Sequence, residues 1–212
     1  GRFGLGMKTA SWSMGRTMTV RSKKGSSDNV LRWDLDYVAK KGKWIVQEGA
    51  DQSSEKYLSL PSRSRSGTTV IITNCDKILG EEQDDDLEEA ETAFYELTRS
   101  TRQHLEVVFH RFLESQISIT VNGNSCEPWD PFLIKHQYTQ RISTPDEVLK
   151  CRGQDIKIGA YVLPHNDHLT SEEHSRASGP KGWNLQQGFY VYRANRLIVP
   201  GGWFRLGRDI KA

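Results

Sequence analysis

One stretch of this chain, Leu87 to Leu113, constrains its fold more than any other. Phe94, Leu97, Leu105, Val108, Phe109 and Phe112 recur across it at helical spacings, which draws one apolar stripe along a long helix. Acidic residues crowd its start, where the helix dipole favours them and a solvated helix end accounts for them. On either side the apolar period drops to two, the signature of half-buried strands. One long helix between strand-rich regions predicts an α+β chain, with the helix packed on an antiparallel or mixed sheet. The Gly- and acid-rich segment 79–91 marks a boundary and divides the chain into residues 1–78 and 79–212.

Before the boundary the pattern predicts a helix from Met7 to Met14, a strand over Thr17–Ser22 and a turn at Lys23–Asp28. Two more strands, Val30–Ala39 and Lys43–Gln47, are expected around Lys40-Lys41-Gly42, since Leu31, Trp33, Leu35 and Tyr37 alternate with polar neighbours. A Ser/Arg-rich loop, Pro61–Ser66, leads into the β-branched strand Gly67–Thr73. After the long helix, Ile117, Ile119 and Val121 alternate up to Asn122-Gly123, a strong hairpin signal. Glu127–Phe132, with two prolines, is irregular. Asp155–Leu163 reads as a strand, the segment with His165, His168 and His174 as a polar loop, and Phe189–Tyr192 with Arg196–Val199 as a strand pair.

Composition narrows the class. With 36% hydrophobic residues and only short apolar runs, such as Val70-Ile71-Ile72, nothing in the sequence spans a membrane. Cys75, Cys126 and Cys151 form no CxxC pair and fit a reducing, cytoplasmic setting better than a disulfide framework. The histidines lack the cysteine pairing or carboxylate pattern of a metal site. A net charge of +2 neither requires nor forbids a polyanionic partner, and the basic residues Arg16, Arg21, Lys23 and Lys24 are read as solvated. Trp129 and Trp183 are read as core or interface residues.

The chemistry is concentrated at the start: Gly1-Arg2-Phe3-Gly4-Leu5-Gly6-Met7-Lys8, followed by Thr9 and Ser11. Glycines let backbone N–H groups approach an anion, and the helix that follows adds the positive end of its dipole. The spacing G-x-x-G-x-G is not the dinucleotide fingerprint, and Met7 between Gly6 and Lys8-Thr9 spoils a Walker A loop. The alternative is a tight strand-to-helix turn with no ligand. Lys8 has its own alternative as a solvated residue of the first helical turn, and Thr68 as an ordinary strand threonine.

Gly1 to Ser11 resembles the lid-end glycine motif of the GHKL (Bergerat-fold) ATPases, in the Phe-Gly-x-Gly-x-Lys-[ST] form of the MORC-like and chaperone-like branch. The second family motif, Gly-Thr before a strand, is matched by Gly67-Thr68-Thr69-Val70-Ile71-Ile72. Val108–Leu113, Ile119–Gly123, Pro128–Phe132 and Gly182–Arg193 resemble the transducer domain of MORC-like proteins.

The resemblance implies the distal half of a Bergerat-type α/β sandwich, then a transducer domain with a long helix on a sheet, truncated at its C-terminus. It also implies ATP and Mg²⁺ as cofactors. The cofactor-binding residues would be Gly1, Gly4, Leu5, Gly6, Met7 and Lys8 around the phosphates and Thr68 near the adenine. Gln187, Lys181 and Arg193 are candidates for sensing the γ-phosphate. The family's catalytic Glu, its Mg²⁺-binding Asn and its Asp-x-Gly precede the lid, so Glu48, Glu55, Asp28 and Asp34 are not assigned those roles. As a fragment the chain is expected to be inactive. The intact protein would be a homodimeric clamp closing on ATP, with DNA among its candidate partners. A chaperone-like ATPase and a non-catalytic interaction module remain as alternatives.

Overall fold

The computed structural model describes residues 5–59, 65–79, 87–142 and 146–204. The fold is α+β, and it divides into two compact units, residues 1–94 and 95–212.

The first unit is built on a four-stranded antiparallel sheet. Helix α1 (Gly6–Trp12) leads into β1 (Thr17–Lys24), β2 (Ser27–Asp34), helix α2 (Leu35–Lys41), β3 (Gln47–Glu48), a single turn α3 (Gln52–Glu55) and β4 (Ser66–Thr73). The sheet order is β3-β2-β1-β4. A further turn, α4 (Asp76–Leu79), follows. Gly15 fits the crossing from α1 to β1 because a Cβ there would lie 2.7 Å from the Thr73 carbonyl oxygen and 3.0 Å from that of Asn74.

The expected helix, the strand at Thr17 and the Gly67–Thr73 strand all form. The Val30–Ala39 strand does not. It ends at Asp34, whose carboxylate accepts from the backbone N–H groups of Asp36 and Tyr37 and so caps α2. Gly42, at φ 63°, closes that helix in the left-handed conformation. The Lys40-Lys41-Gly42 segment read as an inter-strand turn is therefore a helix C-terminus, with its basic residues where the dipole favours them. Of the Lys43–Gln47 strand only Gln47 pairs, through β3 with Arg32. The Lys23–Asp28 turn is shorter than expected, since β1 and β2 remain paired out to Lys24 and Ser27.

The sheet has two chemically distinct faces, because alternate residues point to opposite sides. On one, Thr19 donates to Ser54 Oγ at 3.2 Å, Arg21 pairs with Asp28 at 2.8 Å and donates to the Leu58 carbonyl, and Arg32 lies 3.8 Å from Asp51. Burial opposes the Asp51 charge. Hydrogen bonds from Ser54 and Ser53, with Arg32 nearby, outweigh that and hold its carboxyl below the usual range. The register sets the other face: Met18 beside Trp33 and Ile72, Val20 beside Leu31 and Val70, Ser22 beside Asn29 and Thr68.

The long helix forms as α5 (Leu87–Val108) and stops short of Leu113. His110 explains the break. Its Nδ1 lies 2.9 Å from the Val107 carbonyl, the group the next turn of helix would use, and Phe109 takes φ −108°, ψ 14° before the short α6 (His110–Leu113).

The rest of the second unit is made of ribbons. They are β5 (Thr120–Val121) with β6 (Asn124–Ser125), β7 (Gln140–Arg141) with β10 (Tyr161–Val162), β8 (Glu147–Cys151) with β9 (Gln154–Ile158), and β11 (Tyr190–Arg193) with β12 (Arg196–Pro200). Asn122-Gly123 turns its hairpin with both residues at positive φ, as expected of that dipeptide. The Asp155–Leu163 strand is split in two. Gly159, where a Cβ would lie 2.8 Å from Asp146 Oδ1, interrupts it, and Tyr161–Val162 pair elsewhere. The polar histidine loop also holds a helix, α7 (Ser171–Ala177), started by a capping box between Thr170 and Glu173.

Two-stranded ribbons are marginal alone, so side chains hold this unit together. Val107, Trp129 and Leu197 are buried against one another, with Tyr190 and Tyr192 packed on them. His110 is buried beside them, its Nε2 3.3 Å from the Tyr192 hydroxyl. Because a carbonyl only accepts, Nδ1 carries the proton and Nε2 accepts from Tyr192. Burial lowers the His110 pKa and raises that of Tyr192.

Two outcomes follow. A histidine with a lowered folded pKa is protonated more readily unfolded. Its contribution is therefore present above pH about 6.5 and is lost as pH falls from there towards the folded pKa. Urea melts between pH 5 and 7.5 are expected to show this slope, and His110→Phe is expected to flatten it whatever its effect on absolute stability. Gly15→Ala is expected to cost about 1–3 kcal/mol by the same melts, since backbone rather than a side chain must yield.

Candidate functional site

Helix α1 lies against the less polar face of the first sheet. Trp12 meets Trp33 edge-on at 6.5 Å and Trp44 at 5.3 Å, and Lys8 Nζ stands 4.2 Å above the centre of the Trp33 ring. The Lys8 ammonium is held over an indole rather than left in water.

Thr68 lies on the same face, at the far end of the pairing rows. It sits opposite Ser22, four residues along β4 from Ile72 and therefore about 13 Å away at strand rise. Between the two ends the floor is apolar and open. Leu31 is 44% exposed and Val70 43%, while Val20 is half-buried. Thr68 is exposed, whereas its neighbour Thr69 points to the polar face and donates to the Ser59 carbonyl. The face thus offers a cation over an aromatic ring at one end, hydroxyls at the other and aliphatic surface between.

The glycine loop is described only from Leu5; Gly1 and Gly4 lie outside the described residues. Leu5 precedes the helix in αR geometry, and its carbonyl accepts from both the N–H and the hydroxyl of Thr9. No side chain caps the start of α1. Gly6 is its first residue, and a Cβ there would meet nothing within 4 Å, so packing does not demand glycine. Also outside the described residues are most of the Pro61–Ser66 loop, residues 80–86 of the acid-rich segment and residues 205–212.

The candidate sensors are all in the second unit. Gln187 lines a cavity there, Lys181 is an exposed residue in the turn before Gly182, and Arg193 is exposed beside the turn of the β11–β12 hairpin. Three carboxylates after the glycine motif are committed elsewhere. Asp34 caps α2, Asp28 is held below its usual pKa by Arg21, and Asp36 likewise by Arg16. Among the described residues no three His, Cys, Asp or Glu side chains group as a metal site. His165 accepts from the Asp167 N–H, His168 stacks on Tyr138 at 4.0 Å and His174 packs on Trp183. No described helix is long and apolar enough to cross a membrane.

Sequence reasoning missed Trp33 and Trp44 as part of this face, because Trp33 was read only as one residue of an alternating strand. The signal available was Lys8 four residues before Trp12, which puts both on one side of a short helix.

Residues 1–68 match the family model of the histidine kinase-, DNA gyrase B- and HSP90-like ATPases. The matched stretch begins with the glycine loop and ends at Thr68, so it takes in the Gly67-Thr68 pair and stops before the strand residues that follow. The match concerns residues 1–68 alone and supports the GHKL superfamily for that part of the chain. No curated protein and no solved structure matches the chain.

The contact of Lys8 with Trp33 is open to direct measurement. A double-mutant cycle with Lys8→Gln and Trp33→Leu is expected to give a coupling of about 0.5–1 kcal/mol in urea melts.

Proposed function

We propose that residues 1–78 form the C-terminal part of a GHKL ATP-binding domain, and residues 79–212 a transducer-like α+β domain, in a clamp that closes on ATP. The observation carrying this reading is the family match over residues 1–68, from the glycine loop to Thr68. The chemistry of the open face supports it. A nucleotide is apolar and flat at one end and anionic at the other. Val20, Leu31 and Val70 would lie under the base with the Thr68 hydroxyl at its edge, while Lys8 and the backbone of Gly1, Gly4, Leu5, Gly6 and Met7 would meet the phosphates.

Mg²⁺ is not assigned to Asp28, Asp36 or Asp51, which are engaged with Arg21, Arg16 and Arg32. Nor is a general base for water assigned to them. What these residues would contribute is binding and orientation: an apolar platform, one hydroxyl and one cation. Closure would bring the glycine loop around the phosphates and favour dimerisation. MORC-like membership, Gln187 or Lys181 as γ-phosphate sensors, and a DNA partner belong to the same proposal.

The Lys8–Trp33 contact favours a second reading, in which the loop is structural and this part of the chain binds a partner without nucleotide.

Gly6→Ala separates them. Within a helix it is expected to leave stability unchanged or raise it by about 1 kcal/mol. Under the ATP reading it obstructs the approach of phosphate, so calorimetric titration of the whole chain with a non-hydrolysable ATP analogue and Mg²⁺ is expected to show affinity reduced tenfold or more. Thr68→Val is expected to weaken the same binding without lowering the melting temperature. Affinity indifferent to both substitutions would reject the nucleotide site. An ATP-dependent DNA clamp also predicts DNA association that weakens steeply with salt.

A further inference from the structure

The hairpin of β11 and β12 has one face in the core and one in water. Tyr190, Tyr192 and Leu197 turn inward against the buried cluster of the second unit. At the alternate positions Phe189, Val191 and Arg193 are exposed, and so are Arg196 and Ile198 on the other strand. Ile198 falls where the register shifts and is 53% exposed. Phe189 meets Trp203 edge-on at 5.9 Å and stacks on Phe204 at 5.8 Å, yet each of the three rings keeps about half its surface in water. Five large apolar side chains are thus left uncovered around one hairpin, the kind of surface that marks a docking site.

The charges on this face are of one sign. Arg193 and Arg196 stand directly opposite each other in the hairpin register, where like charges repel. Ala194 and Asn195, both at positive φ, form the tight turn between them and hold the pair at the tip. Arg196 lies 5.3 Å from the centre of the Phe109 ring, and among the described residues neither arginine has a carboxylate partner. The local sequence supplies none, since residues 174–204 contain no Asp or Glu. Nor does an acidic side chain line the cavity of about 610 Å³ beside Trp203, whose other aromatic walls are Trp129, Phe132, Tyr161, Trp183 and Tyr190. A carboxylate brought between the two guanidiniums would turn their repulsion into paired attraction.

We propose that this face docks an acidic peptide segment of a partner protein, in which carboxylates alternate with apolar side chains. Its carboxylates pair with Arg193 and Arg196, and its apolar side chains cover Val191, Ile198 and the Phe189–Trp203–Phe204 group. The interleaving favours a peptide over a lipid surface. Val191 and Ile198 are the next exposed residues to the arginines along each strand, whereas a bilayer separates headgroup charge from hydrocarbon by depth. A nucleic-acid backbone would satisfy the arginines and leave the apolar side chains uncovered. This docking face is independent of the nucleotide reading, which concerns residues of the first unit.

The probe is a random peptide library displayed on phage and selected against the whole chain, with the enriched peptides remade and titrated by fluorescence anisotropy. Selection is expected to enrich sequences that combine Asp or Glu with Leu, Phe or Trp. Arg193→Gln together with Arg196→Gln is expected to weaken a selected peptide by about tenfold or more and to flatten its salt dependence. Ile198→Ser is expected to weaken it by about threefold or more with the salt dependence retained. Lys23→Gln with Lys24→Gln, a basic pair in the first unit, is the control for general charge and is expected to change affinity less than about twofold. Thermal melts confirm that each variant folds. Enrichment without acidic residues would overturn the proposal, as would affinity indifferent to the arginine pair or an equal loss in the lysine control. Binding to phosphatidylserine vesicles or duplex DNA that the arginine substitutions abolish, with no peptide selected, would assign the face to those partners and overturn it as well. Self-association that Ile198→Ser abolishes, again with no peptide selected, would assign it to a second copy of the chain and do the same.

Discussion

Strand β1 is hydrogen-bonded along both edges, to Ser27–Asp34 on one side and Ser66–Thr73 on the other, and the first unit depends on that double pairing. Thr17, Met18 and Thr19 are buried as a consequence. The register cannot slip by one residue without exchanging faces, because every side chain would cross to the other side of the sheet. Met18 would then enter the polar layer of Ser54, Arg21 and Asp51, and Thr19 would face Trp33 and Ile72. The contrast between the faces fixes the pairing, and the pairing in turn brings Thr68 and Lys8 to one side.

The parts of the fold legible in the sequence were those with a local physical cause. Asn122-Gly123 announces its turn by the positive φ both residues accept, and Thr17 to Ser22 and Gly67 to Thr73 announce strands by alternation and β-branching. The errors came where two local rules competed. Leu31, Trp33, Leu35 and Tyr37 alternate as a strand would, yet Asp34 offers a cap, and the cap governs from Leu35 onward. Helical periodicity continues through Phe112, but the His110 ring takes the Val107 carbonyl and ends the long helix early. Neither outcome depends on the pattern that suggested otherwise.

The candidate site was legible as motifs and not as a surface. The glycines, Lys8 and Thr68 could be picked out by residue type and order, and the family match covers that same stretch. That Lys8 rests on Trp33, and that Leu31 and Val70 leave an open apolar floor, depends on contacts between residues far apart in sequence. The second unit shows this more strongly. Its aromatic cavity draws on Glu127–Phe132, which reads as irregular because two prolines hide any period, and on residues distant from it in sequence such as Tyr161 and Tyr190.

The tryptophans give this chain a spectroscopic property of its own. Trp12, Trp33 and Trp44 form one group in the first unit, whereas Trp129, Trp183 and Trp203 line the cavity of the second. An indole's excited state carries a dipole different from that of its ground state, so its emission responds to a nearby charge. The Lys8 ammonium above Trp33 is such a charge, and an anion that draws it away shifts the colour of that ring. Removing the tryptophans of one group would leave the other as an intrinsic optical gauge of its own unit, without a dye or a label.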